Sequence, residues 1–172
     1  MEFSVVQGDI ATERADALVN AAGTSLRMGS GVAGALRRAA NGPINEEAVS
    51  EGPVELGEVA VTDAYDLDAA YVIHAAAMPH YGDGQATEAS IRDATRNSLD
   101  RAVELGCESL VLPVLGTGAA GFPFERGAEL VCEAVWAYER SAGGSLEDVR
   151  VIAYSGEEFE TLRAVAERVQ SE

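Results

Sequence analysis

Six short β-rich runs alternate with five helical stretches along this chain, and that alternation leaves few architectures open to it. The runs Phe3–Gln7, Ala17–Ala21, Glu58–Thr62, Tyr71–Ala75, Ser109–Leu112 and Val149–Tyr154 have the β-branched and apolar content of strands. Between and after them, Val32–Ala40, Ile44–Glu51, Glu88–Leu105, Phe124–Ser141 and Glu157–Gln170 read as helices. Strands alternating with helices predict an α/β domain of three layers, α/β/α, with the sheet in the middle. "LVLPVL" and "VIAY" are apolar throughout, so they are expected as central strands covered on both faces. No repeat or long linker breaks the pattern, and 172 residues suit a single domain, 1–172, with a sizeable core.

The helical periodicity is clearest in the third helix. Ile91, Ala94, Thr95, Ser98, Leu99, Ala102 and Leu105 recur at steps of three and four, giving a stripe to bury, and Gly106 supplies the stop. Phe159, Leu162, Val165, Ala166 and Val169 do the same in the last helix. Asn41-Gly42-Pro43 ends the first helix and starts the second. Cys107 and Cys132 lack metal or CxxC spacing and are expected as reduced core residues.

Two stretches match G-x-G-x-x-G: "GSGVAG" at Gly29–Gly34 and "GTGAAG" at Gly116–Gly121. A dinucleotide-binding turn follows a strand directly and carries its third glycine into the helix. The first stretch fails, because the loop GTSLRM separates it from DALVNAA. The second follows a strand, but Phe122-Pro123 delays its helix. Neither carries the GK[ST] of a P-loop. What they share is a glycine-rich loop leading to a helix N-terminus. There, backbone N–H groups converge and the helix dipole favours an anion.

Other motifs surround these loops. "GDIA" (Gly8–Ala11), "DALVNAAG" (Asp16–Gly23), "GSGVAGALRRAA" (Gly29–Ala40), "YVIHAAA" (Tyr71–Ala77), "PVLGTGAAGFP" (Pro113–Pro123) and "VIAYS" (Val151–Ser155) follow in order. In this order and at these spacings the chain resembles a macro domain, a module of the Appr-1-p processing family that binds ADP-ribose. The resemblance runs from about Phe3 to Val169. It implies a mixed, mostly parallel six-stranded sheet between helices. It also implies ADP-ribose as ligand, with no cofactor and no metal.

The resemblance assigns roles by position. Asp9 matches the aspartate that accepts a hydrogen bond from the adenine amino group; a carboxylate only accepts and that amino group donates. Asp9 is equally suited to capping the short turn Ile10–Glu13. The Ile10 N–H would serve a ring nitrogen. Tyr154 matches the aromatic that packs on the adenine face, its alternative being a core tyrosine. Gly29, Ser30, Gly31 and Val32, on to Ala33, would form one wall of a diphosphate site. Gly116, Thr117, Gly118, Ala119, Ala120, Gly121 and Phe122 would form the other. Asn20 falls near the distal ribose and is the one candidate for a catalytic role. His74 is expected as a hydrogen-bonded core histidine, and His80 lies in a turn-rich segment with no assigned role.

The chain departs from the hydrolytic MacroD-type pattern, "NAAN" followed by "GGGVDGA". The second asparagine is Gly23 here and the aspartate is Ala33. Ala120 stands where many members have an aromatic, with Phe122 as a partial substitute. Losing a positioned acid–base group typically costs ~10²–10⁴-fold in rate. The resemblance therefore implies first a binding module for ADP-ribose, free or attached to protein. The second reading is a weak hydrolase: an ADP-ribosyl hydrolase, O-acetyl-ADP-ribose deacetylase or ADP-ribose 1″-phosphate phosphatase. A third is a Rossmann-type oxidoreductase, which would prefer NAD(H).

Charge bounds the partners. Acidic residues number 29 against 12 basic ones, and all twelve are arginine. The net charge of −17 argues against sequence-independent nucleic-acid binding, which needs clustered cations. No apolar run approaches the ~20 residues of a membrane span, and MEFSVVQGDI lacks signal-peptide character, so a cytoplasmic monomer is expected. Acidic, lysine-free composition resembles the haloarchaeal type. Self-repulsion of this size is screened at ~1 M salt, where the Debye length falls to about 3 Å. The melting temperature should therefore rise between about 0.05 and about 3 M KCl. A melting temperature that does not move over that range contradicts this account of the charge.

Overall fold

The computed structural model describes residues 1–79, 84–118, 121–141 and 144–172. Its strands are β1 (Glu2–Gln7), β2 (Ala17–Gly23), β3 (Val59–Asp63), β4 (Tyr71–Met78), β5 (Ser109–Pro113) and β6 (Asp148–Ala153). Its α-helices are α1 (Gly31–Ala40), α2 (Ile44–Glu51), α3 (Glu88–Glu104), α4 (Phe124–Ser141) and α5 (Gly156–Gln170). A 3₁₀ turn, Ile10–Thr12, follows β1. Every strand and helix expected from the sequence is present, with ends shifted by a residue or so. The exceptions are β2, which runs on two residues to Gly23, and β4, which runs on through Ala76 and Ala77 to Met78.

The six strands form one sheet in the order β1-β6-β5-β2-β4-β3. Five are parallel, and β3 alone runs antiparallel, against β4. This is the mixed, mostly parallel sheet expected. It is not the 3-2-1-4-5-6 order of a doubly wound dinucleotide fold. "LVLPVL" and "VIAY" feed the interior strands β5 and β6, as their unbroken apolar runs predict.

Successive strand residues point to opposite faces, and each face has its own core. Val19, Ile73, Leu110, Leu112 and Val151 pack with Ile91, Leu99, Val131, Val135 and Leu162 of α3, α4 and α5. Their neighbours Leu18, Val72, Val111 and Ile152 pack with Leu36, Ala40, Ile44 and Ala48 of α1 and α2. The result is three layers, α/β/α. The α3 stripe is buried from Ile91 to Ala102. Beyond it, Gly106 N–H donates to Val103 O and Cys107 N–H to Ala102 O, the paired bonds of a Schellman stop with Gly106 at φ +75°. Both cysteines are free and buried, and burial pushes the Cys132 thiol up to about 12. Among the described residues no helix is long and apolar enough to cross a membrane.

One polar cluster crosses this apolar interior. His74 is fully buried between Asn20 and Thr62, one residue on each neighbouring strand. Asn20 Nδ2 lies 3.0 Å from His74 Nδ1, and Thr62 Oγ1 lies 2.9 Å from Nε2. The Thr62 hydroxyl donates to Asp63 O at 3.0 Å, so the ring proton sits on Nε2 and Nδ1 accepts from Asn20. Burial lowers the His74 pKa to about 4. The folded state thus binds the neutral ring. Its stabilising contribution is complete above about pH 6.5 and is lost as pH falls toward 4, on the order of 3 kcal/mol in all. Denaturant titrations should show the wild type losing stability over that window relative to His74→Gln. Parallel pH profiles for the two proteins would contradict the assignment.

Candidate functional site

The parallel strands all end on one edge of the sheet, and a cleft of about 730 Å³ opens there. Each strand contributes its C-terminal end or the residue beyond: Gly8 after β1, Ala21–Gly23 of β2, Ala77 and Met78 of β4, Pro113 of β5, and Ala153 and Tyr154 at the end of β6. A volume of this size suits a small organic ligand, and the C-terminal edge of a parallel sheet is where such ligands bind.

Asp9 and Ile10 line the cleft where β1 gives way to the 3₁₀ turn. Asp9 Oδ1 accepts from Ala11 N–H at 2.9 Å, the expected turn cap. Its other oxygen has no partner among the described residues. Tyr154 is 75% exposed and lines the cleft, so it is not a core tyrosine. Its ring stands at the mouth, on the lip that leads into α5.

The first glycine loop forms a second wall, with Gly29, Ser30, Gly31, Val32 and Ala33 all lining the cleft. Ser30 is the N-cap of α1 but makes no side-chain cap bond. The N–H groups of Gly31, Val32 and Ala33 therefore have no partner among the described residues. Two other helix starts differ: Thr87 and Ser90 form a capping box on α3, and the Ser155 hydroxyl accepts from Glu158 N–H on α5, while α2, which starts after Pro43, also lacks a side-chain cap but does not line the cleft. A Cβ at Gly29 or Gly31 would meet nothing within 4 Å, so a ligand can approach this backbone closely.

From the second loop, Gly116, Thr117 and Gly118 line the cleft, and a Cβ at Gly118 would also point into open space. Ala119, Ala120 and His80 lie outside the described residues. Gly121 and Phe122, expected on this wall, are not among the residues lining the cleft. Phe122 N–H reaches back to Gly116 O at 3.3 Å and Gly121 N–H to Gly118 O at 2.9 Å. This closure leaves Phe122 half-buried against the α3–α5 core, and Phe124 lines the cleft instead.

Asn20 is a second correction. It is fully buried, with its amide nitrogen on His74, and it is not part of the cleft wall. Only its neighbours Ala21, Ala22 and Gly23 reach the cleft.

The sequence reading missed Arg27, Arg38 and Glu158, which also line the cleft. Both arginines are exposed and neither has an ion-pair partner among the described residues. By contrast, Arg37 bonds Met28 O at 3.1 Å and lies 4.0 Å from Glu46. The Arg38 side chain folds back over Gly34, its Nη1 3.2 Å from where a Cβ there would sit. Helical spacing held the signal, since Gly31, Ala35 and Arg38 share one face of α1. Gly23 and Ala33 line the cleft with no acid–base group of their own. Among the described residues no cluster of His, Cys, Asp or Glu is placed to hold a metal ion.

Both glycine loops thus line one cleft at the ends of the parallel strands. The Macro domain family model matches residues 19–131. A macro domain-containing protein of Caldanaerobacter subterraneus is 32% identical over 98% of this chain and 97% of its own length. The chain belongs to the macro domain family. A relative from Mycobacterium bovis is 40% identical over 99% of the chain, which spans only 46% of that longer protein. Among solved structures, a variant of the Oceanobacillus iheyensis macrodomain with ADPR superposes with a TM-score of 0.87 at 23% identity, covering 98% of this chain and 93% of that one. The Trypanosoma brucei macrodomain in complex with ADP-ribose gives 0.85 at 25% identity, covering 94% and 68%.

Gly116 joins the core to the cleft. Its φ is +81°, and a Cβ there would lie 2.7 Å from Ile91 Cδ1 and 2.9 Å from Ala86 Cβ. Gly116→Ala should cost roughly 2–4 kcal/mol of stability from backbone strain and overpacking. Urea unfolding measures this, and a loss below about 0.5 kcal/mol would contradict the packing.

Proposed function

We propose that this chain binds ADP-ribose, free or attached to protein, along the cleft at the sheet edge. The observation that carries the reading is the bare N-terminus of α1. Three unclaimed N–H groups and the positive end of the helix dipole face a cleft of nucleotide size, beside two unpaired arginines. That arrangement suits a diphosphate. The opposite wall, Gly116–Gly118, closes the slot from the other side. The free Asp9 oxygen is the acceptor for an adenine amino group, the Ile10 N–H serves a ring nitrogen, and the Tyr154 ring stacks on the base. The ADPR and ADP-ribose complexes of the Oceanobacillus iheyensis and Trypanosoma brucei macrodomains support the choice of ligand.

Arg27 and Arg38 extend the sequence-based reading, which relied on backbone amides alone. Guanidinium groups add charge-assisted bonds to phosphate oxygens. Binding is favoured over MacroD-type hydrolysis because Gly23 and Ala33 supply no side chain to orient or activate water. Activity of any longer protein that contains this domain belongs to the same proposal.

Asp9→Ala should weaken ADP-ribose binding by about 1.5–3 kcal/mol, the cost of losing a charge-assisted bond. Calorimetry on a variant shown to be folded measures it. An unchanged dissociation constant would refute the adenine assignment.

A further inference from the structure

Glu158 is the ionisable group of the cleft that the reading above leaves without work. It is half-buried, lines the cleft, and its carboxylate has no ion-pair or hydrogen-bond partner among the described residues. Its neighbours on α5 differ: Glu160 and Glu167 both pair with Arg163, at 2.7 and 3.0 Å. The Ser155 hydroxyl accepts from Glu158 N–H at 3.1 Å and so fixes the first turn of α5. Glu158 follows Tyr154 by four residues and shares its lip of the cleft. Asp9 lies at the end of β1, which pairs with β6 directly below that lip. Two carboxylates thus stand on the wall that holds the aromatic. Both arginines come from the other wall, the first glycine loop and α1.

We infer that Glu158, with Asp9 lining the same cleft, makes it select an adenosine whose ribose carries free hydroxyls and reject one carrying a 2′-phosphate. The inference rests on the ADP-ribose reading. An ionised carboxylate only accepts hydrogen bonds, and ribose hydroxyls can donate them. A phosphate monoester is a near-dianion at neutral pH. It brings acceptors and like charge to a wall that, among the described residues lining the cleft, offers it no cation, so the two sides repel. Dinucleotide enzymes use the same chemistry: an acidic side chain takes the ribose 2′-hydroxyl, and an arginine accommodates the 2′-phosphate. Repulsion of the wrong ligand is as effective a source of specificity as attraction of the right one.

The test is calorimetric titration of wild type, Glu158→Gln and Glu158→Arg with ADP-ribose and with ADP-ribose 2′-phosphate, in one buffer of fixed salt. Wild type should prefer ADP-ribose by on the order of 10-fold or more. Glu158→Gln should shrink that ratio several-fold, and Glu158→Arg should shrink it further or invert it. A Glu158 that only favours the α5 dipole would lower the melting temperature and leave the ratio alone, which overturns the inference. So would equal affinity of wild type for the two ligands. If wild type binds neither, the ADP-ribose reading falls too; tight ADP-ribose binding with an unmoved ratio removes this inference alone.

Discussion

Burial of both faces of the parallel strands is the constraint from which the rest of the molecule follows. Leu18 and Val19, Val72 and Ile73, and Val111 and Leu112 send adjacent side chains into two separate cores. Helices must then cover both faces, and neither face remains for a ligand. What remains is the edge where the strands end, and there the chain has to turn without filling the space with side chains. Small residues do this: Gly8, Gly23, Gly29, Gly31, Gly116 and Gly118 all line the cleft. The glycine-rich loops are thus a product of the sheet's burial as much as of any ligand.

The first loop adds something that packing alone does not require. A helix start can be completed by its own side chains, as α3 and α5 show. Ser30 is of a type that could cap α1, yet it does not. Backbone donors left open in this way hold an anion by direction and proximity. In a chain of charge −17 that matters, because the long-range field opposes an approaching phosphate. In the proposed reading, the local donors and the two arginines work against that field at contact distance. Screening by salt weakens the repulsion of the whole surface more than it weakens short, directed N–H bonds.

Much of this was legible in the sequence, and the misses have more than one cause. The third and last helices coincide closely with their periodic segments, because each buries one apolar stripe and periodicity reports that directly. The end of β4 was missed because Ala75, Ala76 and Ala77 favour no period. Asp9, Tyr154 and the first glycine loop reach the cleft because each sits where a strand ends or a helix starts, which the sequence also marks. Phe122 and Asn20 fail for a different reason. Phe122 N–H closes back on Gly116 O within the loop, and Phe124 rather than Phe122 lines the cleft. Whether Asn20 faces ligand or interior depends on His74, which is 54 residues away. Nothing local encodes that second contact.

Asn20 also shows how the site divides its labour. Its amide nitrogen is held by His74, so it tethers β2 to β4 through a buried polar contact rather than meeting the ligand. Beyond it the strand offers only Ala21, Ala22 and Gly23 to the cleft, and α1 offers Ala33. Asn20 is spent on holding strands together, and Gly23 and Ala33 bring only backbone and a methyl group to the cleft wall. Backbone donors are set by the fold and bind without being able to take or give a proton near neutral pH. A wall built this way anchors charge firmly and has little means of moving protons. That is why, in the proposed reading, the same fold that makes a secure diphosphate slot favours holding ADP-ribose over cleaving what is attached to it.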